Sequence, residues 1–151
     1  MIRADGFAVR VSSPPTNEAE PICRLSYQGR DTGRDLPAAV LEAALEVDGE
    51  WLLFLTHDVP FEETLGIFLL GSNFDVLDRV ALMAPNATGA FKSLRILSDR
   101  RVRFNFLGEQ GWELELMKKP AFRLPLVSEP LGVVRPFGFS RRFALSRTRE
   151  R

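Results

Sequence analysis

The chain has 151 residues, of which 45% are apolar, 26% charged and 10% aromatic, the composition of an ordinary globular domain. At this length one domain is expected, and a chain of about 150 residues buries roughly two thirds of its unfolded surface without help from disulfides or a metal. Twenty basic and twenty acidic side chains cancel, so net charge gives no reason to expect nucleic acid or an acidic membrane as partner.

The stock of reactive groups is small. One His, one Cys and one Tyr leave few nucleophiles or general bases near neutral pH, and one His plus one Cys cannot supply a four-ligand zinc site. The single cysteine, Cys23, cannot form an intramolecular disulfide, and Met1 to Val11 lacks the apolar run of a signal peptide. A cytoplasmic location is expected. The apolar runs Trp51 to Leu55 and Ile67 to Leu70 fall far short of the about 20 residues that span a bilayer, so no integral membrane protein is expected.

Charge is balanced overall but segregated along the chain. Between Asp35 and Asp78 there are ten acidic residues and no Lys or Arg, whereas Arg79 to Arg151 holds 15 basic against six acidic residues. Two arrangements fit. Acidic strands lie beside basic strands in the same sheet, where opposed charges contribute roughly 0.2 to 1 kcal/mol per pair, or each molecule carries an acidic and a basic face that docks a partner. The first is preferred.

In chain order, the spacing predicts a strand near Phe7 to Val11, a proline-rich loop over Ser12 to Pro21 and a strand over Ile22 to Tyr27 that buries Cys23 as a small apolar group. Pro37 to Glu46 fits both a helix opened by Pro37 and a strand, and strand is favoured because Asp48-Gly49 follows as a hairpin signal before Trp51 to Thr56. Trp51 to Thr56 is nearly all apolar and reads as a strand buried on both faces. Leu65 to Leu70, the turn Gly71-Ser72-Asn73 and the residues Phe74, Val76, Val80 and Leu82 form a further hairpin. Asn86-Ala87-Thr88 matches a glycosylation acceptor but reads as a polar turn. Val102, Phe104 and Phe106 alternate with Arg101, Arg103 and Asn105, and after Gly108 to Gly111 the residues Trp112, Leu114 and Leu116 alternate with Glu113 and Glu115. This is a hairpin with one apolar face, its register held by arginines opposite glutamates. From Pro120 onward, prolines recur every five or six residues and disfavour central strands. The segment is nevertheless too apolar for a free tail.

Such short strands predict an all-β, mainly antiparallel fold, a β-sandwich or partly open barrel with at most one short helix. A β core over residues 1–119 would be covered by a segment over 120–151 that packs on it or on a partner subunit.

Three motifs invite chemistry. His57, Asp58, Glu62 and Glu63 gather at the end of a buried strand, where loops often carry function. With Asp75 or Asp78 they could hold Mg²⁺ or Ca²⁺, although the spacing matches no metal motif and a solvated acidic turn is preferred. Ala87 to Ser93 lacks the adjacent Gly-Lys of a phosphate loop. In the C-terminal segment Phe137, Phe139, Arg141, Arg142 and Phe143 interleave arginine and phenylalanine, a mixture suited to single-stranded nucleic acid or, the preferred reading, to an interface.

The reading that follows is a non-enzymatic domain of protein-protein interaction or assembly, self-associating, with no cofactor, no metal and no membrane. A carboxylate-dependent, metal-assisted hydrolase working through His57, Asp58, Glu62 and Glu63 is the first alternative. Nucleic-acid binding through the basic C-terminal segment is the second.

Overall fold

The computed structural model describes residues 1–59, 61–84, 89–121, 129–136 and 141–148. Among them every regular element is a strand: β1 (Ile2–Arg3), β2 (Phe7–Ser13), β3 (Ile22–Tyr27), β4 (Arg30–Leu36), β5 (Val40–Val47), β6 (Glu50–Thr56), β7 (Leu65–Leu70), β8 (Val76–Leu82), β9 (Lys92–Ile96), β10 (Arg101–Asn105), β11 (Gly111–Ala121), β12 (Val133–Val134) and β13 (Arg141–Arg147). They form three antiparallel sheets, in the orders β1-β5-β6-β7-β8-β12, β13-β11-β10-β9 and β2-β3-β4, none closed into a barrel. The helical alternative over Pro37 to Glu46 is set aside by β5, which pairs along its length with β6.

The six-stranded sheet is the middle layer. Side chains alternate across a strand, so a strand covered on both faces has no polar positions to show. In β6, Leu52 and Phe54 enter one core while Leu53 and Leu55 enter the other; in β7, Ile67 and Leu69 part from Phe68 and Leu70 in the same way. The first core is completed by Val102, Phe104, Trp112, Leu114, Phe143 and Leu145 of the four-stranded sheet. The second is completed by Cys23, Leu25 and Leu36 of the three-stranded sheet. That double coverage is why Trp51 to Thr56 reads as an uninterrupted apolar run.

Turn chemistry fixes the hairpins. Asp48 and Gly49 both have positive φ, 50° and 77°, the backbone of the two-residue turn whose twist matches the flanking strands, and Val47 faces Glu50 directly. Between β10 and β11 the register is Arg101↔Glu115, Arg103↔Glu113 and Phe104↔Trp112, with ion pairs from Arg103 to Glu113 at 3.2 Å and from Arg101 to Glu115 at 3.4 Å. The indole of Trp112 is fully buried and donates to the Phe106 carbonyl at 3.1 Å, which satisfies its one polar atom.

β4 has no counterpart in the sequence reading. Its residues, Arg30 to Leu36, bury only Leu36, and the strand is held by pairing to β3 and by Arg24, which reaches Asp31 at 2.9 Å and Asp35 at 3.1 Å. At the other end of the chain β13 pairs with β11 at the edge of its sheet.

Candidate functional site

The loop between β6 and β7 is closed by one of its own carboxylates. Glu63 is buried, and its Oε1 accepts from the backbone N–H of His57 at 2.8 Å and of Thr64 at 3.0 Å. Asp58 and Glu62 are exposed, Asp58 with φ of 61°, and Pro60 lies outside the described residues. Asp75 is held by Arg34 at 2.5 Å and by the Asn73 amide at 2.8 Å. The acidic residues singled out from the sequence are therefore not brought together. Among the described residues no cluster of three or more His, Cys, Asp or Glu is arranged to hold a metal ion.

Asp78 has a different environment altogether. It sits on the face of β8 that meets the four-stranded sheet and has no exposed surface. Arg79 N–H donates to its Oδ1 at 2.8 Å, and Arg142 N–H and the Arg135 guanidinium donate to its Oδ2, the former at 2.9 Å. Arg135 also donates to Glu129 at 2.9 Å and to the Phe143 carbonyl at 2.9 Å, and lies over the Phe143 ring at 4.9 Å. Glu129 in turn accepts from Arg141. Two carboxylates and two guanidinium groups thus form one buried network, each charge paired and hydrogen-bonded as burial demands.

This network decides where the C-terminal residues stand. Arg141 is buried in it, Phe143 is a fully buried core residue, and Arg142 Nη2 donates to both carboxylate oxygens of Glu50, at 2.7 and 2.9 Å. Those three are engaged inside the chain. Phe137 and Phe139 lie outside the described residues, as do Asn86 to Thr88. Among the described residues, three of the ten acidic residues between Asp35 and Asp78 meet the basic half of the chain, and none does so as the directly opposed strand pair that the sequence reading prefers. Asp48 meets Arg100 at 2.9 Å, Glu50 of β6 meets Arg142 of β13 in another sheet, and Asp78 meets Arg135 just after β12.

Among the described residues, a mostly apolar concavity lies on the opposite face of the middle sheet. A cleft of about 240 Å³ opens beside β8 and β12. Gly66 and Ala81 oppose each other across β7 and β8, Val134 opposes Ala81, and Phe68 opposes Arg79. Cross-strand partners share a face, and Phe68 belongs to the core under the three-stranded sheet. These residues therefore form a row on that side, with two small side chains at its centre. Glu20 from the β2–β3 loop, Pro37 from the β4–β5 connection and His57 and Thr64 from the roots of the β6–β7 loop complete the lining. A cleft mostly apolar with a few convergent polar groups is the usual form of a binding site. His57 was the only one of these that sequence singled out as a site residue; the rest come from separate segments with no shared motif.

Cys23 is fully buried, and burial pushes its thiol up to about 11, the opposite of an activated nucleophile. Comparison of the chain with family models, curated proteins and solved structures finds no match.

Proposed function

We propose that the protein is a non-enzymatic binding domain acting in protein-protein interaction, and that the cleft beside β8 and β12 holds a short apolar stretch of its protein partner. The observation that carries this reading is the apolar rim. Met83 is 37% exposed and Val134 53%, and both line the cleft, one just after β8 and the other in β12. Scattered single apolar residues on a surface need no explanation, but a group beside an apolar cleft does. The hydrolase alternative needs Glu63 as a free carboxylate, whereas that group caps two backbone N–H donors. The nucleic-acid alternative needs free arginines, whereas Arg135 and Arg142 already face carboxylates.

Titration of ¹⁵N-labelled protein with a pool of random-sequence pentapeptides tests the reading. The amides of Gly66, Ala81 and Val134 are expected to shift while those of Val9 and Ser26 in the three-stranded sheet stay in place, and Val134→Asp should remove the shifts. Cleft amides that do not move at millimolar peptide overturn it.

A further inference from the structure

We propose that the cleft recognises the free C-terminal carboxylate of a peptide whose last residue is apolar, with Arg79 pairing to that carboxylate; this rests on the cleft being the binding site.

Arg79 is half-buried and lines the cleft, yet among the described residues its guanidinium has no carboxylate within ion-pair distance. In this chain that is unusual company. The half-buried or buried guanidinium groups of Arg24, Arg34, Arg100, Arg135 and Arg142 each face an Asp or Glu. A guanidinium beside apolar surface is matched best by a planar oxyanion that it can hold through two N–H donors. Thr64 and His57 line the same cleft from the roots of the β6–β7 loop.

The apolar half of the ligand follows from the neighbours of Arg79. Phe68 stands directly across from it, and Gly66 and Ala81 lie one step along the same face. The ligand must therefore carry its carboxylate next to an apolar group. A chain end does this on a single residue, since the terminal carboxylate and the side chain leave the same Cα; capture of such an end by backbone and cationic groups is a known recognition mode. An internal Asp or Glu presents its carboxylate on a bare stem and sends peptide groups into the apolar part, where each would need a partner. The cleft volume, about 240 Å³, suits one or two residues and not a segment that runs through. Glu20, exposed and also in the lining, adds a negative charge to the cleft and disfavours a second carboxylate on the ligand.

The test compares N-acetyl-Gly-Ser-Gly-Val-Leu with a free C-terminus against the same peptide as its C-terminal amide, each titrated into ¹⁵N-labelled full-length protein. The acid is expected to shift the cleft amides and the Arg79 Nε–H signal and to bind at least tenfold more tightly than the amide. In Arg79→Gln, with folding checked by circular dichroism, acid and amide should bind alike; Ala81→Leu, which fills the floor, should weaken both. Equal affinity of acid and amide for the unaltered protein, with cleft amides moving in both titrations, overturns the role of Arg79 and leaves the cleft as the site. If neither peptide moves the cleft, both proposals fall. If 4-methylpentanoate binds as tightly as the peptide acid, the occupant is a small free acid and the peptide assignment is wrong.

Discussion

Asp78 of β8 and Arg135, 57 residues later in the chain, form an ion pair with almost no exposed surface, 0% for one side chain and 7% for the other. The aspartate faces the four-stranded sheet, and the arginine reaches it from the residue just after β12, the strand that pairs with β8. Because Arg142 N–H binds the same carboxylate oxygen, one buried anion anchors both the residue that follows β12 and the start of β13.

A buried pair of this kind is a poor source of net stability but a costly thing to break, since one partner's loss strands the other's charge. Asp78→Ala is expected to lower unfolding free energy by about 3 to 5 kcal/mol, read from urea denaturation. Replacing both partners, Asp78→Leu with Arg135→Met, should cost less than the sum of the single changes. A single substitution that costs under about 1 kcal/mol would mean that water reaches the pair.

What could be read from the sequence, and what could not, divides along the same physical line. β6, β7, β10 and β11 announce themselves because burial is written into each strand's own residues, either continuous or alternating. The polar strand β4 is an edge that its pairing partner, not its own pattern, holds in place, whereas β13 alternates Arg141, Phe143 and Leu145 inward but lies in a stretch whose recurring prolines hide it. Asp78 looked like a candidate metal ligand because a carboxylate is visible in sequence while the arginine that neutralises it, 57 residues away, is not connected to it by any periodicity. The cleft was illegible for a related reason: Glu20, Pro37, His57, Gly66, Arg79 and Val134 come from separate segments, and only the strand register brings them together.

The buried thiol of Cys23 makes stability depend on alkaline pH. In the folded protein the thiol keeps its proton until about pH 11 because desolvation disfavours the thiolate; in the unfolded chain it loses the proton near its ordinary value of 9.0. Above that value the unfolded state binds fewer protons, so stability is undiminished below pH 9 and falls as pH rises toward 11. The full shift is worth about 3 kcal/mol. Cys23→Ala should therefore unfold with a shallower decline between pH 9 and 11, and a thiol reagent at pH 8 should label the unaltered protein no faster than it unfolds. Rapid labelling under native conditions would contradict the burial on which the prediction rests.

Gly66 tests the packing that shapes the cleft. A Cβ at this position would stand 2.7 Å from Phe68 Cε2 and 3.2 Å from its Cζ, and that ring is itself buried in the core under the three-stranded sheet. Two effects oppose each other in Gly66→Ala. Alanine loses less backbone entropy on folding, a gain of about 0.5 to 1 kcal/mol in a strand, while forcing a packed ring aside costs about 1 to 3 kcal/mol. The clash is expected to win, giving a net loss of up to about 2 kcal/mol in thermal or urea unfolding. Phe68→Leu combined with Gly66→Ala should recover part of that loss, because residues in contact are not additive. A stabilised Gly66→Ala variant would show instead that the ring moves freely, and that the cleft floor is softer than the close approach of Gly66 and Phe68 implies.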